Sequence, residues 1–324
     1  MYNIYMDKDH QGIGVPTASQ HTPTENILPI WIPEQTRAQI LQLCADAGSD
    51  EESRNAFREK FLSYCANFFW NHRHEIHVLI EGEVLASKRV QDEKAVWNSG
   101  GDEDGIWIGA GMHTITAGLI AEMIAKKMGL SSAVVHKVGS AGILHDWYKK
   151  WEITAVKQVE RELSEKDADW KNTLRAEGAA RITASLHHSK ETDEQKLRDQ
   201  GISNDVIELA GANLLKDGTG VLTVEKLHER PELAIIAYFD TMLRGTEIIP
   251  CEVRMEPVFK PQSIWSLFSE GSTQEYGGKT FQQFGEEILP QCFRVMAERM
   301  NFLGTEKEFP AFLRKLLIDE VKLS

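Results

Sequence analysis

His145 and Asp146 stand side by side at the end of an apolar run, Ala141-Gly142-Ile143-Leu144-His145-Asp146. Ionisable side chains in such surroundings are costly unless they are paired or bound to a metal. Neighbouring side chains on a helix point about 100° apart, so these two can still converge on one cation if other helices bring further ligands. Two candidates lie in similarly apolar sequence: His113 in Gly111-Met112-His113-Thr114-Ile115, and Asp240 in Ala237-Tyr238-Phe239-Asp240-Thr241. Two neutral imidazoles and two carboxylates suit Mn, Fe, Co, Ni or Zn, and carboxylate-rich variants tolerate Mg. Four protein ligands leave water or substrate positions open on a six-coordinate ion. Taken singly, each residue also has a structural reading, as a satisfied core histidine or a capping aspartate.

The order His … His-Asp … Asp resembles the HD-domain superfamily of metal-dependent phosphohydrolases. The likeness is carried by the small apolar run before His145, by Lys149 three places after Asp146, and by Asp240 within a late apolar helix. It covers roughly residues 106–250. It implies an HD-domain helical-bundle core in which His113, His145, Asp146 and Asp240 hold a divalent metal ion. It further implies hydrolysis of a phosphate ester, on a nucleotide or another small phosphorylated metabolite. Lys149 lies one turn beyond the pair, where an ammonium suits a phosphate oxygen. A solvated Lys favoured by the helix dipole is the alternative. In related HD proteins, histidines between the His-Asp pair and the final Asp bind a second metal or the substrate phosphate. One of His187 and His188 is expected in that role, with a surface pair as the alternative.

Dinuclear HD proteins, the diiron oxygenases included, show two separated histidine positions in that interval. Here the adjacent pair is followed only by His228, at a helix entrance just before Pro231, which favours one metal. The Gly-Tyr-Pro signature of the cyclic-dinucleotide enzymes is absent. A diiron oxygenase on the same fold and a non-catalytic, nucleotide-sensing signalling module are the alternatives. His136, nine residues before His145, reads as structural. His72, His74 and His77 form a local cluster without H-E-x-x-H spacing, and a surface or packing role is expected. Arg244, one turn beyond Asp240, suits a phosphate or an ion pair equally.

The elements that must position these residues read as helices, and the class is mainly α. Residues 1–30 form an irregular arm. Pro33 opens a helical pattern with Ile40, Leu41, Leu43 and Cys44. Ser49-Asp50-Glu51-Glu52 starts the next helix, with acids where the dipole favours them, burying Phe57, Phe61, Leu62, Cys65 and Phe68. A Gly-rich loop, 98–111, leads into His113 without a P-loop's Gly-Lys-Ser/Thr ending; it reads as a connector or a pocket wall. Core helices follow at about 112–128, 132–150, 154–163, 170–188, 204–215 and 231–244. Gly129 and Gly245 suit helix ends. Gly139, Ser140, Ala141 and Gly142 leave little side chain, so a neighbouring backbone can approach closely. Two amphipathic helices, about 280–302 and 306–321, close the chain, with Pro290 expected to kink the first. The organisation is an arm (1–30), a helical N-terminal segment (31–105), the HD-like core (106–250) and a helical C-terminal segment packed on it (251–324).

With 324 residues and a formal charge of −13, the chain is long enough for a large core and too acidic for a broad duplex-binding surface. A small phosphorylated substrate is compatible with a local basic pocket. Cys44, Cys65, Cys251 and Cys292 are scattered, with no C-x-x-C pair, which suggests reduced thiols and a cytoplasmic location. No secretory signal is legible at the start. No stretch approaches ~18 apolar residues, so no membrane span is expected.

Overall fold

The computed structural model describes Ala47, residues 50–79, 112–147, 161–162, 194–244, 247–256, Ser269 and residues 273–323. The arm 1–30, the helix opening at Pro33, the loop 98–111, nearly all of the helices expected near 154–163 and 170–188, and Gly245 lie outside these residues. Among the described residues the fold is mainly α, as the periodicity implies. Strands are confined to two two-residue hairpins, β1 (Lys216–Asp217) with β2 (Gly220–Val221) and β3 (Leu243–Arg244) with β4 (Glu247–Ile248).

The first helix, α1 (Glu51–Asn71), begins where Asp50 accepts from the Ser53 amide at 2.8 Å. It buries Phe57, Phe61, Cys65, Phe68 and Phe69 on one face, with Leu62 partly buried. Residues 73–79 continue helically.

The centre is a pair, α2 (Met112–Lys127) and α3 (Ser132–Leu144). Gly129 ends α2 at φ 71°, and Leu130 N returns to Ala125 O at 3.2 Å, a left-handed helix end that glycine adopts without strain. The two helices touch backbone to backbone: a Cβ on Gly142 would lie 2.7 Å from Gly118 Cα. The glycines flagged in the sequence are what allow that approach.

The pair is covered by α6 (Pro231–Phe239), in which every residue from Leu233 to Phe239 is buried. It packs on α2, α3 and α8 (Phe281–Met300). Pro231 occupies the first helical turn, where its missing N–H costs nothing. Short helices α4 (Asn204–Ala210), α5 (Val224–Glu229) and α7 (Cys251–Met255) fill the connections, and α9 (Phe309–Leu323) packs on α1 and α2. Residues of α1, α8 and α9 share one hydrophobic core with α2, α3 and α6.

Two helix ends beside the ligand candidates differ from the sequence reading, and the helix expected over 204–215 ends at Ala210 and gives way to a 3-10 turn, Gly211–Leu214. Helix α3 stops at Leu144, not near 150, so the His-Asp pair sits in a turn. There the His145 ring takes the Gly142 carbonyl and Trp147 N bonds Leu144 O, both i to i−3 contacts. Helix α6 stops at Phe239, and residues Asp240–Met242 form a 3-10 turn in which the Thr241 hydroxyl takes Tyr238 O at 2.6 Å. Local side-chain bonds of this kind compete with the α-helical ladder.

Candidate metal centre

Three helix ends meet at one point. His113 stands in the first turn of α2, His145 and Asp146 in the turn after α3, and Asp240 at the C-cap of α6. His113 Nε2 lies 2.9 Å from Asp240 Oδ1 and 3.7 Å from Asp146 Oδ2. His145 Nε2 lies 3.6 Å from each of those two carboxylate oxygens. Two imidazole nitrogens and two carboxylate oxygens thus alternate around one small space. One donor each from His113, His145 and Asp240 falls within a mutual 4.8 Å.

The rings are held for this. His145 is fully buried and its Nδ1 lies 2.7 Å from Gly142 O. A carbonyl only accepts, so Nδ1 carries the proton, and in the neutral ring Nε2 turns a lone pair toward the carboxylates. Asn213 Nδ2 donates to the His145 backbone carbonyl at 3.0 Å and fixes the turn itself. Phe239 sets its ring against His145 at 5.0 Å and 81°. His113 Nε2 meets Asp240 Oδ1 directly, so a cation held by both would take the place of the proton that joins them.

The donor set therefore fits a divalent cation: two histidines and two carboxylates, one histidine with its tautomer fixed by a backbone acceptor. The Asp146 side chain is 8% exposed and that of Asp240 28%, so the open side of the centre is the Asp240 side. It gives onto a cavity of about 480 Å³ that Asp146 and Asp240 line together with Asn213, Thr241 and Arg254. Much of the remaining wall is apolar, including Leu215, Phe281 and Leu289. Arg254 is anchored there by its Nε, which donates to Leu243 O at 2.8 Å. Cys251 also lines the cavity, and burial pushes its thiol up to about 11, so it stays protonated and is a poor nucleophile near neutrality.

The structure brings together all four ligand candidates read from the sequence. Lys149, His187 and His188 lie outside the described residues. Arg244 pairs with Glu247 at 2.7 Å on the surface, and His228 is exposed on α5. Asn213, Arg254 and the Gly142 carbonyl escaped the sequence reading. Asn213 lies 68 positions from His145 with no local pattern to mark it, and a backbone carbonyl has no residue-type signature. In comparisons with family models, curated proteins and solved structures, nothing matches the chain.

Proposed function

We propose that this protein is a metal-dependent phosphohydrolase that acts on a small phosphate ester, a nucleotide or another phosphorylated metabolite. The observation that carries the reading is the convergence of His113, His145, Asp146 and Asp240 from three elements at the edge of a cavity. When bound, a divalent ion (Mn, Fe, Co, Ni, Zn or Mg) supplies an acidified water and a Lewis acid for a phosphoryl oxygen. The chain's own residues do the rest. His113, His145, Asp146 and Asp240 hold the ion, and Gly142 and Asn213 keep His145 aimed. Lys149 and one of His187 or His188 offset charge on the phosphoryl oxygens. Arg254 adds a guanidinium in the cavity wall, a group suited to phosphate. The apolar wall accommodates the non-phosphate part of the substrate.

Among the described residues no helix is long and apolar enough to cross a membrane. Cys65, Cys251 and Cys292 form no disulfide. Unbridged cysteines support a cytoplasmic enzyme.

The test is a panel of phosphoesters presented to the purified chain loaded in turn with Mn, Co, Ni, Zn, Fe and Mg. Metal-dependent release of phosphate that Asp240→Asn abolishes is the expected result. Absence of turnover with every metal, in a chain that does bind metal, would overturn the assignment.

A further inference from the structure

The cavity beside the candidate centre carries a carboxylate that the chain leaves without a counter-charge. Glu306 opens the 3-10 turn Glu306–Glu308 ahead of α9, is half-buried, and lines the cavity with the apolar side chains of Leu215, Phe281 and Leu289. Its Oε1 accepts from the hydroxyl of the fully buried Tyr238 at 2.5 Å. Burial, and then that bond, push the Tyr238 hydroxyl far above its ordinary value, so it stays a donor. Among the described residues no cation pairs with Glu306. Its neighbour Lys307 turns to Glu252 at 3.2 Å, and Arg254, across the cavity wall, gives its Nε to Leu243 O. A carboxylate drawn partly out of water is costly unless a cation or further hydrogen bonds meet it. One hydroxyl meets Oε1, and Oε2 is left to whatever occupies the cavity.

Cys251, in the same wall, registers the field there. Burial raises its thiol most, a Thr241 hydrogen bond opposes this, and the nearby Glu306 and Glu252 carboxylates raise it again. Anions that disfavour a thiolate favour a cation in its place. Glu256 and Glu286, both exposed, line the cavity as well. Charge of one sign around a cleft with apolar walls concentrates ions of the other sign.

A second acceptor is open in the same wall. Asn213 gives its Nδ2 to the His145 carbonyl, and its Oδ1 is shut off from solvent with no donor in reach. A carbonyl only accepts, so the amide cannot be turned the other way round. Buried acceptors left unmet are rare in native folds and mark places that a ligand or a water completes.

We propose that the organic part of the substrate carries a protonated amine, and that Glu306 is the residue that selects it. The phosphate end of this assignment rests on the phosphohydrolase reading; the ammonium end rests on the cavity alone. The phosphate lies at the candidate centre, a methylene spacer covers Leu215, Phe281 and Leu289, and the ammonium meets Glu306 Oε2 in a charge-assisted hydrogen bond. The cavity, about 480 Å³, is in the size range of small-molecule sites. A substrate that carries further phosphates or a carboxylate at that end meets charge of its own sign. The favoured class is therefore the phosphomonoester of a small amino alcohol, and nucleoside polyphosphates are poor substrates.

Two experiments keep the two readings apart. The first needs neither metal nor turnover. A full chain with Asp146→Asn and Asp240→Asn, which neutralise the candidate centre, is titrated by calorimetry with n-butylammonium chloride and with n-butanol at matched ionic strength. The ammonium should bind and the alcohol should not. Adding Glu306→Gln, which keeps an acceptor for Tyr238, should weaken the ammonium about tenfold or more, the order of a hydrogen bond to a charged group. Equal binding of salt and alcohol, or ammonium binding unchanged by Glu306→Gln, would overturn the inference. The second experiment gives the unaltered, metal-loaded chain phosphomonoesters of one chain length that end in ammonium, methyl or carboxylate. kcat/KM should fall in that order, with about tenfold or more between the first two, carried by KM as expected of uniform binding. Glu306→Gln should bring those two close to equality. Equal kcat/KM for all of them would overturn the ammonium selection and leave the phosphohydrolase reading in place. No turnover of any ester, with butylammonium still bound through Glu306, would refute the phosphohydrolase reading and retain the ammonium site.

Discussion

His145 illustrates how much a single ring is asked to do. Its Nδ1 is committed to Gly142, and its Nε2 faces two carboxylates at 3.6 Å. We expect His145→Ala or Asp146→Ala to remove bound metal from the candidate centre and to take phosphoester hydrolysis to background. The helical signal should be largely retained. Metal analysis after dialysis, with circular dichroism alongside, decides it, and full metal content in the double variant would refute the ligand assignment. Lys149 is the residue on which the phosphate reading leans. Lys149→Ala should lower kcat/KM at least tenfold with metal content unchanged, whereas a solvated lysine, worth about 0–1 kcal/mol in an exposed pair, would shift it less than about twofold. Steady-state kinetics at saturating metal separates the two.

At the scale of elements, the contact between α2 and α3 has almost no slack. Gly142→Ala would put a methyl 2.7 Å from Gly118 Cα, and overpacking of this kind costs about 1–3 kcal/mol. It should also loosen the metal, because the Gly142 carbonyl orients His145. Gly129→Ala is the contrasting case: nothing lies within 4 Å of its added Cβ, and the cost is that of φ 71°, about 1–2 kcal/mol. Both variants should melt earlier, and only the first should bind metal more weakly. The β1–β2 hairpin carries a pH signature of its own. Asp217 Oδ1 accepts from Lys226 Nζ and Thr219 N, each at 2.9 Å, and from Thr219 Oγ1 at 2.8 Å. Burial alone would raise this carboxyl, but those bonds outweigh it and hold it below its ordinary value of 3.8. A depressed carboxylate stabilises the fold above its unfolded pKa and loses that contribution as pH falls through the folded one. Acid unfolding curves should therefore flatten below about pH 4 in Asp217→Asn relative to the parent chain.

For the whole molecule, the metal is expected to act as a cross-link. His113 and Asp240 are 127 residues apart in the chain and belong to α2 and α6, so an ion held between them binds only the folded state. Ligand at 100 times its dissociation constant adds about 2.7 kcal/mol. For a domain of about 150–250 residues each kcal/mol shifts Tm by roughly 2–4 °C, so the stabilisation here should be several degrees. Differential scanning calorimetry before and after chelation tests this, and an unchanged Tm in a chain shown to have lost its metal would contradict a role for the ion in holding α2 to α6.

The helices of the core and the four ligand candidates are legible in the sequence because both signals are local in kind. Apolar periodicity marks a buried helix, and an ionisable residue inside such a run needs a partner. The resemblance to HD proteins then groups His113, His145, Asp146 and Asp240 before any distance is known. What the sequence leaves open depends on contacts between distant segments. Periodicity carries α3 on to about 150, but the His145 ring takes the Gly142 carbonyl and the pair ends in a turn. By spacing, His72 belongs with His74 and His77. The fold buries His72 against Glu122 and stacks it on His136 while His74 and His77 stay exposed. Asn213, in the 3-10 turn Gly211–Leu214, and Arg254, on α7, reach the candidate centre and its cavity because that turn packs on α6 and α7 packs on the turn Asp240–Met242. Local patterns determine which residues are driven inside; only packing decides which of them face one another.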